Sequence, residues 1–422
     1  MKFFFSAGEP SGDVHAAALI AQMKRVAPDT QCYGFGGPQM QKAGCALLVD
    51  LTDHAIMWVA QAVAKYFQFK GFLKEAEKFF DSEILDAVVL VDYPGFNWHV
   101  AKAAKKRGIP VYYFMPPQIW SWAQWRIKKM KANVDHILTP LPFEHRWFES
   151  HGCSATYIGH PFFESMREKV SDAGFVEMLY ARYGDGPILT VLPGSRNQEV
   201  KANLDDMLIA VEYVRSAVPN VRPVIAAFNA IHAEYIQERL TQLALPVPVF
   251  VGKTTELIRA AECCLAVSGS VSLELLAANK PTVIYYRIGK WPMRIQQCFR
   301  RTRYITLVNL LAVDMFDMRS PHEKMSQVRQ KRHSKLSPLF YEESVWPIPA
   351  EPSADDREKM LFPEFLTTNR KSKEAAAHLV YWLTSPEGLA AQKRRLAELF
   401  EAVDPMESPI NKAAGVLLTP NR

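Results

Sequence analysis

Four short stretches of this 422-residue chain combine residue types that can do chemistry. Ser6-Ala-Gly8-Glu9-Pro-Ser11-Gly12-Asp13 sets two carboxylates in a glycine-bearing turn between an apolar run and a helical stretch. It is neither a Walker A loop nor GxGxxG, and carboxylates at such a turn disfavour phosphate and favour sugar hydroxyls. A tight turn with Ser11 or Asp13 as helix cap is the alternative reading. Asp92, in Asp92-Tyr-Pro-Gly-Phe-Asn97, ends an apolar run beside Pro and Gly. A carboxylate with so little freedom to turn away suits a general base for a hydroxyl nucleophile, and a cap or turn residue is its bland counterpart.

The other two stretches suit anions. In Pro193-Gly194-Ser195-Arg196-Asn-Gln-Glu199, Gly194 and Ser195 permit a turn with outward N–H groups, and Arg196 adds a fork that matches phosphate oxygens. In Ser268-Gly-Ser270-Val271-Ser-Leu-Glu274 a Ser/Gly turn opens a helix, whose free N–H groups and dipole attract an anion, while Glu274 can chelate ribose hydroxyls. Ser270 as cap with Glu274 as capping-box partner is compatible with that role. His160, in Gly159-His160-Pro161, ends a strand and is a candidate to face a cleft, although a lone histidine is more often structural. No Asp-x-Asp pair and no histidine cluster occurs, so neither a metal nor a cofactor is expected, and a diphosphate would be neutralised by helix termini and Arg.

The elements that must hold these residues are legible as short apolar runs alternating with amphipathic stretches. Runs at 2–6, 31–35, 86–91, 110–115, 134–139 and 155–158 predict a doubly wound α/β domain over 1–165. The run at 86–91 is apolar on both faces, as a central parallel strand must be. After a break at 162–186, runs at 187–192, 221–226, 247–251, 263–267 and 281–286 predict a second domain over 187–371. Ligands of open α/β sheets bind at the carboxyl ends of strands, so two such domains face to face would put a site in the cleft between them. Residues 313–359 change texture, with a basic cluster at 329–333 and a Pro-rich acidic piece, and read as an insertion. The periodic tail at 372–403 predicts two helices separated near Pro386, within a C-terminal segment, 372–422, expected to return to an N-terminal domain of its own or a partner chain.

Composition bounds the class. Hydrophobic residues at 49% and charged residues at 22% exclude disorder. Six cysteines without a CxxC pair read as buried thiols in a reducing cytoplasm. Glu9 and Asp13 interrupt the N-terminal aromatics too soon for a signal peptide, and no run reaches the ~20 apolar residues of a membrane span. The net charge of +6 does not by itself imply nucleic acid and is compatible with anionic small molecules or a membrane surface. Three segments mix aromatic and basic residues: 116–131 with Trp120, Trp122 and Trp125; 63–73; and 290–303. They suit a lipid interface or a ligand groove, and 63–73 equally suits a core-facing helix.

Two α/β domains with this set of motifs describe a GT-B type nucleotide-sugar glycosyltransferase, and the likeness is closer than that. Residues 6–13, Gly36-Gly-Pro-Gln-Met40, Asp92 to Asn97, Pro116 to Trp122 with Arg126, Leu141-Pro-Phe-Glu144, Ile158 to Pro161, Leu192 to Val200, Ser268 to Glu274 and Leu307 to Leu311 follow in the order and approximate spacing of the lipid-A-disaccharide synthase family. The chain resembles that family over most of its length outside 313–359. The resemblance implies inverting, metal-independent transfer of diacylglucosamine from UDP-2,3-diacylglucosamine to 2,3-diacylglucosamine 1-phosphate, giving the β-1,6 disaccharide of lipid A and UDP. It implies Asp92 as base, with Glu9 and Asp13 near the acceptor. Gly194, Ser195, Arg196, Ser270, Val271, Glu274 and Asn309 fall on the UDP side, and His160 and Trp120 in the cleft. Acyl binding would fall to segments 63–73 and 120–131, with positive patches meeting anionic head groups. The implied place is the cytoplasmic face of the inner membrane, as a peripheral protein, possible homodimer and non-binder of nucleic acid. The sequence departs from the family at Trp58, at Val308, and in the interposed segment of about 45 residues, far beyond a usual connection. Competing readings are another GT-B enzyme, such as a UDP-N-acetylglucosamine epimerase or the peptidoglycan transferase, and a non-catalytic binding protein.

Overall fold

The computed structural model describes residues 1–52, 62–168, 172–300, 302, 304–312, 360–404 and 407–419. The insertion at 313–359 and the departure at Trp58 lie outside them. The chain forms two compact units, one of Met1–Glu164 with Val403–Arg422, the other of Ser165–Ala402.

The first unit is a seven-stranded parallel sheet in the order β3-β2-β1-β4-β5-β6-β7. Its strands are β1 (Lys2–Ala7), β2 (Gln31–Gly36), β3 (Cys45–Asp50), β4 (Ala87–Val91), β5 (Val111–Phe114), β6 (His136–Thr139) and β7 (Ala155–Tyr157). Every residue of β4 is buried, because helices cover both faces of a parallel sheet and leave no strand face for water. Phe3 and Phe5 point to one face with Leu19, Ile20 and Met23 of the helix Pro10–Val26. Phe4 points to the other, where it meets Phe35, Phe79 and Phe80. The terminal helix Pro409–Leu418 closes the first of these cores with Ile410, Ala413, Ala414 and Leu417.

The second unit repeats the design with six parallel strands in the order β10-β9-β8-β11-β12-β13. They are β8 (Ile188–Leu192), β9 (Arg222–Ala227), β10 (Val249–Val251), β11 (Cys263–Ala266), β12 (Thr282–Arg287) and β13 (Glu364–Thr367). The helix Asn197–Ala217 supplies Val200, Leu204, Met207, Leu208 and Val211 to the core. Ala375, Ala376, Leu379 and Trp382 of the helix Ser372–Thr384 join the same core. This corrects the expected assignment of 372–422 to the N-terminal domain: among the described residues that unit takes the chain only from Val403 onward, because the apolar face of Ser372–Thr384 matches the second sheet. A fully buried Asp206 fixes that docking. It accepts from Tyr285 at 2.9 Å, Arg287 at 3.1 Å and Arg370 at 2.8 Å, while its carbonyl accepts from Ser372 at 2.7 Å.

Candidate active-site residues in the two units

In each unit the strand order reverses beside the first strand, and the loops leaving the two neighbouring strand ends diverge, which opens a crevice at the carboxyl edge. In the first unit those ends are β1 and β4, paired through Ala7 and Val91. Residues 6–13 leave one and Asp92 leaves the other, so the sequence-predicted carboxylate motifs meet at one switch point. In the second unit the ends are β8 and β11, paired through Leu192 and Ala266. There the Pro193 to Glu199 and Ser268 to Glu274 motifs meet.

Asp92 and Tyr93 both lie in the left-handed region, with φ of 45° and 44°. For side chains with a Cβ this costs about 1–2 kcal/mol per residue and persists only where surroundings enforce it. Here the enforcement is visible. The amide of buried Asn97 donates to the carbonyls of Ser6 (3.1 Å), Val91 (3.2 Å) and Asp92 (2.8 Å) and accepts from the Ser6 hydroxyl at 2.7 Å. The phenol of buried Tyr113 also donates to the Asp92 carbonyl, at 2.7 Å. The resulting elbow leaves the Asp92 side chain half-buried, and withdrawal from water raises its pKa above the ordinary carboxylate value. Gly8 is what allows this approach: a Cβ there would lie 2.2 Å from the Tyr93 ring. Glu9 is exposed at the same edge, and loss of water and then the Glu9 charge raise the Tyr93 phenol.

Asp13 has a different task. Its buried carboxylate accepts from the backbone N–H of Gly37 (2.9 Å), Gln39 (2.9 Å) and Met40 (3.0 Å), anchoring the short helix Pro38–Lys42 to the helix Pro10–Val26. It holds the loop that carries Glu9 and does not project a free oxygen at a sugar. Trp120 needs a correction as a cleft or surface residue. It is fully buried, edge-on to Phe143, with its indole N–H on Glu144 at 2.9 Å, because an indole enclosed in a core must find an acceptor. Glu144 is itself enclosed, and burial pushes its pKa up to about 8. Of the tryptophans in this segment, Trp122 and Trp125, 45% and 56% exposed, reach the surface, packed edge to face with Arg126 over the Trp122 ring at 4.7 Å. His160 is half-buried beside Phe162 and Phe163, and burial lowers its pKa to about 3, so its ring stays neutral at physiological pH.

In the second unit Gly194 has φ 121°, and a Cβ there would crowd Glu199 at 3.0 Å and Val267 at 3.2 Å. Its absence brings the two crevice walls together. Ser195 and Arg196 are exposed, and the Arg196 side chain is 81% accessible, tethered at one nitrogen by Glu199 at 3.0 Å. The rest of its fork is open to an oxyanion. Opposite, Gly269 and Ser270 are exposed at the start of the helix Val271–Ala277, where Val271 is half-buried. The Ser270 hydroxyl does not cap this helix; Ser272 bonds the Gly269 carbonyl instead, at 2.8 Å. Glu274 is buried and accepts from Thr255 at 2.6 Å, so the capping-box alternative does not form.

Asn309 requires a second correction. It is fully buried, and its amide donates to the Phe362 carbonyl (2.7 Å) and Glu364 (2.8 Å) while accepting from the N–H of Leu361 (2.9 Å) and Phe362 (2.8 Å). With every polar atom of the side chain engaged, it clamps the strand that returns at 361 and has no group left for a nucleotide. The hydrogen bond between Leu361 and Asn309 brings together the described residues that flank 313–359. The residues that sequence reasoning missed are Tyr93, Asn97 and Tyr113, which fix Asp92. Tyr93 and Asn97 left a signal, their place in the same motif, and Tyr113 left none. Among the described residues no group of three or more His, Cys, Asp or Glu is arranged to hold a metal ion, and no helix is long and apolar enough to cross a membrane.

The family profile described as Lipid-A-disaccharide synthetase matches residues 3–343. The chain belongs to that family. The lipid-A-disaccharide synthase of Trichlorobacter lovleyi is 31% identical over 309 residues, 72% of this chain and 80% of that protein. Solved structures agree in fold at low identity. The Neisseria meningitidis UDP-GlcNAc 2-epimerase bound to UDP-GlcNAc has TM-score 0.56 at 11% identity, covering 99% of this chain and 98% of that one. CalG4, the calicheamicin glycosyltransferase, has TM-score 0.54 at 12% identity, covering 99% and 97%. The chain is thus an α/β protein of GT-B type with two Rossmann-like units.

Proposed function

We propose that this chain is a lipid-A-disaccharide synthase that joins UDP-2,3-diacylglucosamine to 2,3-diacylglucosamine 1-phosphate with inversion and without a metal. The observation that carries the reading is the strained Asp92 elbow, a carboxylate held at a switch point by Asn97 and Tyr113. In this mechanism Asp92 accepts the proton of the acceptor 6-hydroxyl as that oxygen attacks the anomeric carbon of the donor. The bond to the UDP oxygen breaks, and the diphosphate leaves with the electron pair. A carboxylate whose pKa is raised by burial is a stronger base than a solvated one. Glu9, at the same edge, hydrogen-bonds the acceptor sugar, and Asp13 positions the loop. The leaving charge is met by the Arg196 fork and the N–H groups around Ser195, Ser270 and Val271, which oppose it in the transition state without a divalent cation. Glu274 backs the ribose site and Asn309 keeps the adjoining strand in register.

The acyl chains need an apolar wall. Phe69 and Phe72 of the helix Ala62–Ser82 meet Phe35 and Phe96, and Phe69 lies 6.3 Å from Tyr93, beside the elbow. Trp122, Trp125 and the basic residues after them support a peripheral membrane contact on the cytoplasmic face. A homodimer would exchange the helix Pro409–Leu418, and sedimentation of the native chain checks it. The test of the function is disaccharide formation by the native chain in detergent micelles, read by mass spectrometry together with UDP release. A disaccharide 1-phosphate that requires both lipids is expected. UDP release independent of the acceptor, or acceptance of non-acylated UDP-sugars in its place, would overturn the reading.

A further inference from the structure

From Leu275 to Val313 the chain contains no Asp or Glu but seven basic residues, Lys280, Arg287, Lys290, Arg294, Arg300, Arg301 and Arg303. The excess over this one segment is larger than the +6 of the whole chain, so the remaining sequence is nearly neutral and the field is local. Part of that charge is used within the fold. Lys280 bonds the Ala261 carbonyl at 2.7 Å and Arg287 pairs with Asp206 at 3.1 Å. Lys290 and Arg294 are different: both are exposed on the helix Lys290–Phe299, and among the described residues neither has an acidic partner.

Between them stands Trp291, 73% exposed, with the Arg294 guanidinium 5.5 Å from its ring centre. Leaving an indole in water forfeits the burial that large aromatic side chains otherwise gain. Met293 of the same helix is buried, so the helix is seated on its unit by one face and presents Lys290, Trp291 and Arg294 on another. Indole flanked by cations, with no acidic partner among the described residues, is the pattern of a residue that sits at head-group level while its neighbours meet lipid phosphates. Nucleic acid is less well matched, since single-strand binding rests on successive stacking rings and the described part of this face has one.

We propose that the outer face of the helix Lys290–Phe299 is a membrane contact of the second unit, with Trp291 entering the interface of an anionic bilayer and Lys290 and Arg294 paired to its phosphates. It rests on the lipid-dependent reading above and adds a contact separate in sequence from Trp122 and Trp125. The test is partition of the full chain onto phosphatidylcholine vesicles with and without phosphatidylglycerol, for the native protein, Trp291→Ala and the double variant Lys290→Glu/Arg294→Glu. Circular dichroism and UDP release from detergent-dispersed substrates run alongside. The expected result is preference of the native chain for the anionic vesicles and about a tenfold weaker partition in the double variant. Trp291→Ala lowers partition on both vesicle types, and micellar UDP release stays unchanged in both variants. Partition within twofold of native in the folded variants would overturn the proposal. So would binding to heparin equal to that on anionic vesicles, which would assign the face to a soluble polyanion. If native protein partitions through Trp291 but never forms disaccharide, the enzymatic reading falls and the membrane face stands.

Discussion

The two switch points share one strand order and differ in what their loops carry. At the first switch point the backbone is strained and the side chains are acidic; at the second, the positive torsion falls on Gly194 and an arginine projects into water. Parallel topology therefore supplies a crevice twice, and loop chemistry decides its use. The base proposed at Asp92 must be withdrawn from water and immobile, which is what Asn97, Tyr113 and the Gly8–Tyr93 approach supply. The diphosphate contact proposed for Arg196 must reach outward and still be aimed, which the Glu199 tether supplies.

The sharpest way to break the comparison is Asp92→Asn, which keeps shape and removes basicity. Turnover is expected to fall by about 10²–10⁴, with UDP affinity unchanged. The acidic limb of the native pH–rate profile should reflect the same group. A base works deprotonated, so activity is lost as pH falls through a pKa above the ordinary carboxylate range, and that limb disappears in the variant. Arg196→Ala should act in the opposite sense, costing about 10²-fold in kcat/KM with weaker UDP binding by calorimetry, and leaving the pH limb in place.

Smaller effects probe what supports the acidic unit. Glu144 is protonated in the folded chain, and its pKa falls to the ordinary value on unfolding. The native state then holds more protons than the unfolded state between about pH 4.5 and 8, so stability drops as pH rises through this window and levels off above it, by at most roughly 5 kcal/mol. Glu144→Gln keeps an acceptor for Trp120 and should flatten that drop in urea titrations at successive pH values. Gly8→Ala forces its new methyl into the Tyr93 ring and should cost about 1–3 kcal/mol, with turnover lowered more than UDP binding.

Much of this was readable from residues alone. Runs such as 86–91 and 187–192 are apolar on both faces and became the central strands β4 and β8, since burial on two sides leaves no other composition workable. Of the four edge strands, β7 and β10 fall in the predicted runs at 155–158 and 247–251, while β3 and β13 have no counterpart among those runs. In β3 no residue after Cys45 is buried, and β13 is four half-buried residues placed by Asn309 and by pairing to β12, so neither carries a periodic signal. The motif positions led to both switch points, but side-chain commitments were hidden. Asp13, Trp120 and Asn309 look available in sequence and are consumed by contacts to residues 24 or more positions away. The left-handed torsions of Asp92 and Tyr93 had no sequence marker at all, because neither residue is glycine.

The central claim is that the base and the diphosphate site reside in different units. The most direct test measures, on one preparation each of native, Asp92→Asn and Arg196→Ala protein, acceptor-dependent UDP release and the affinity for UDP. The account predicts that Asp92→Asn loses release and keeps UDP affinity, while Arg196→Ala loses UDP affinity. Loss of UDP binding in Asp92→Asn with turnover retained at saturating donor would contradict it.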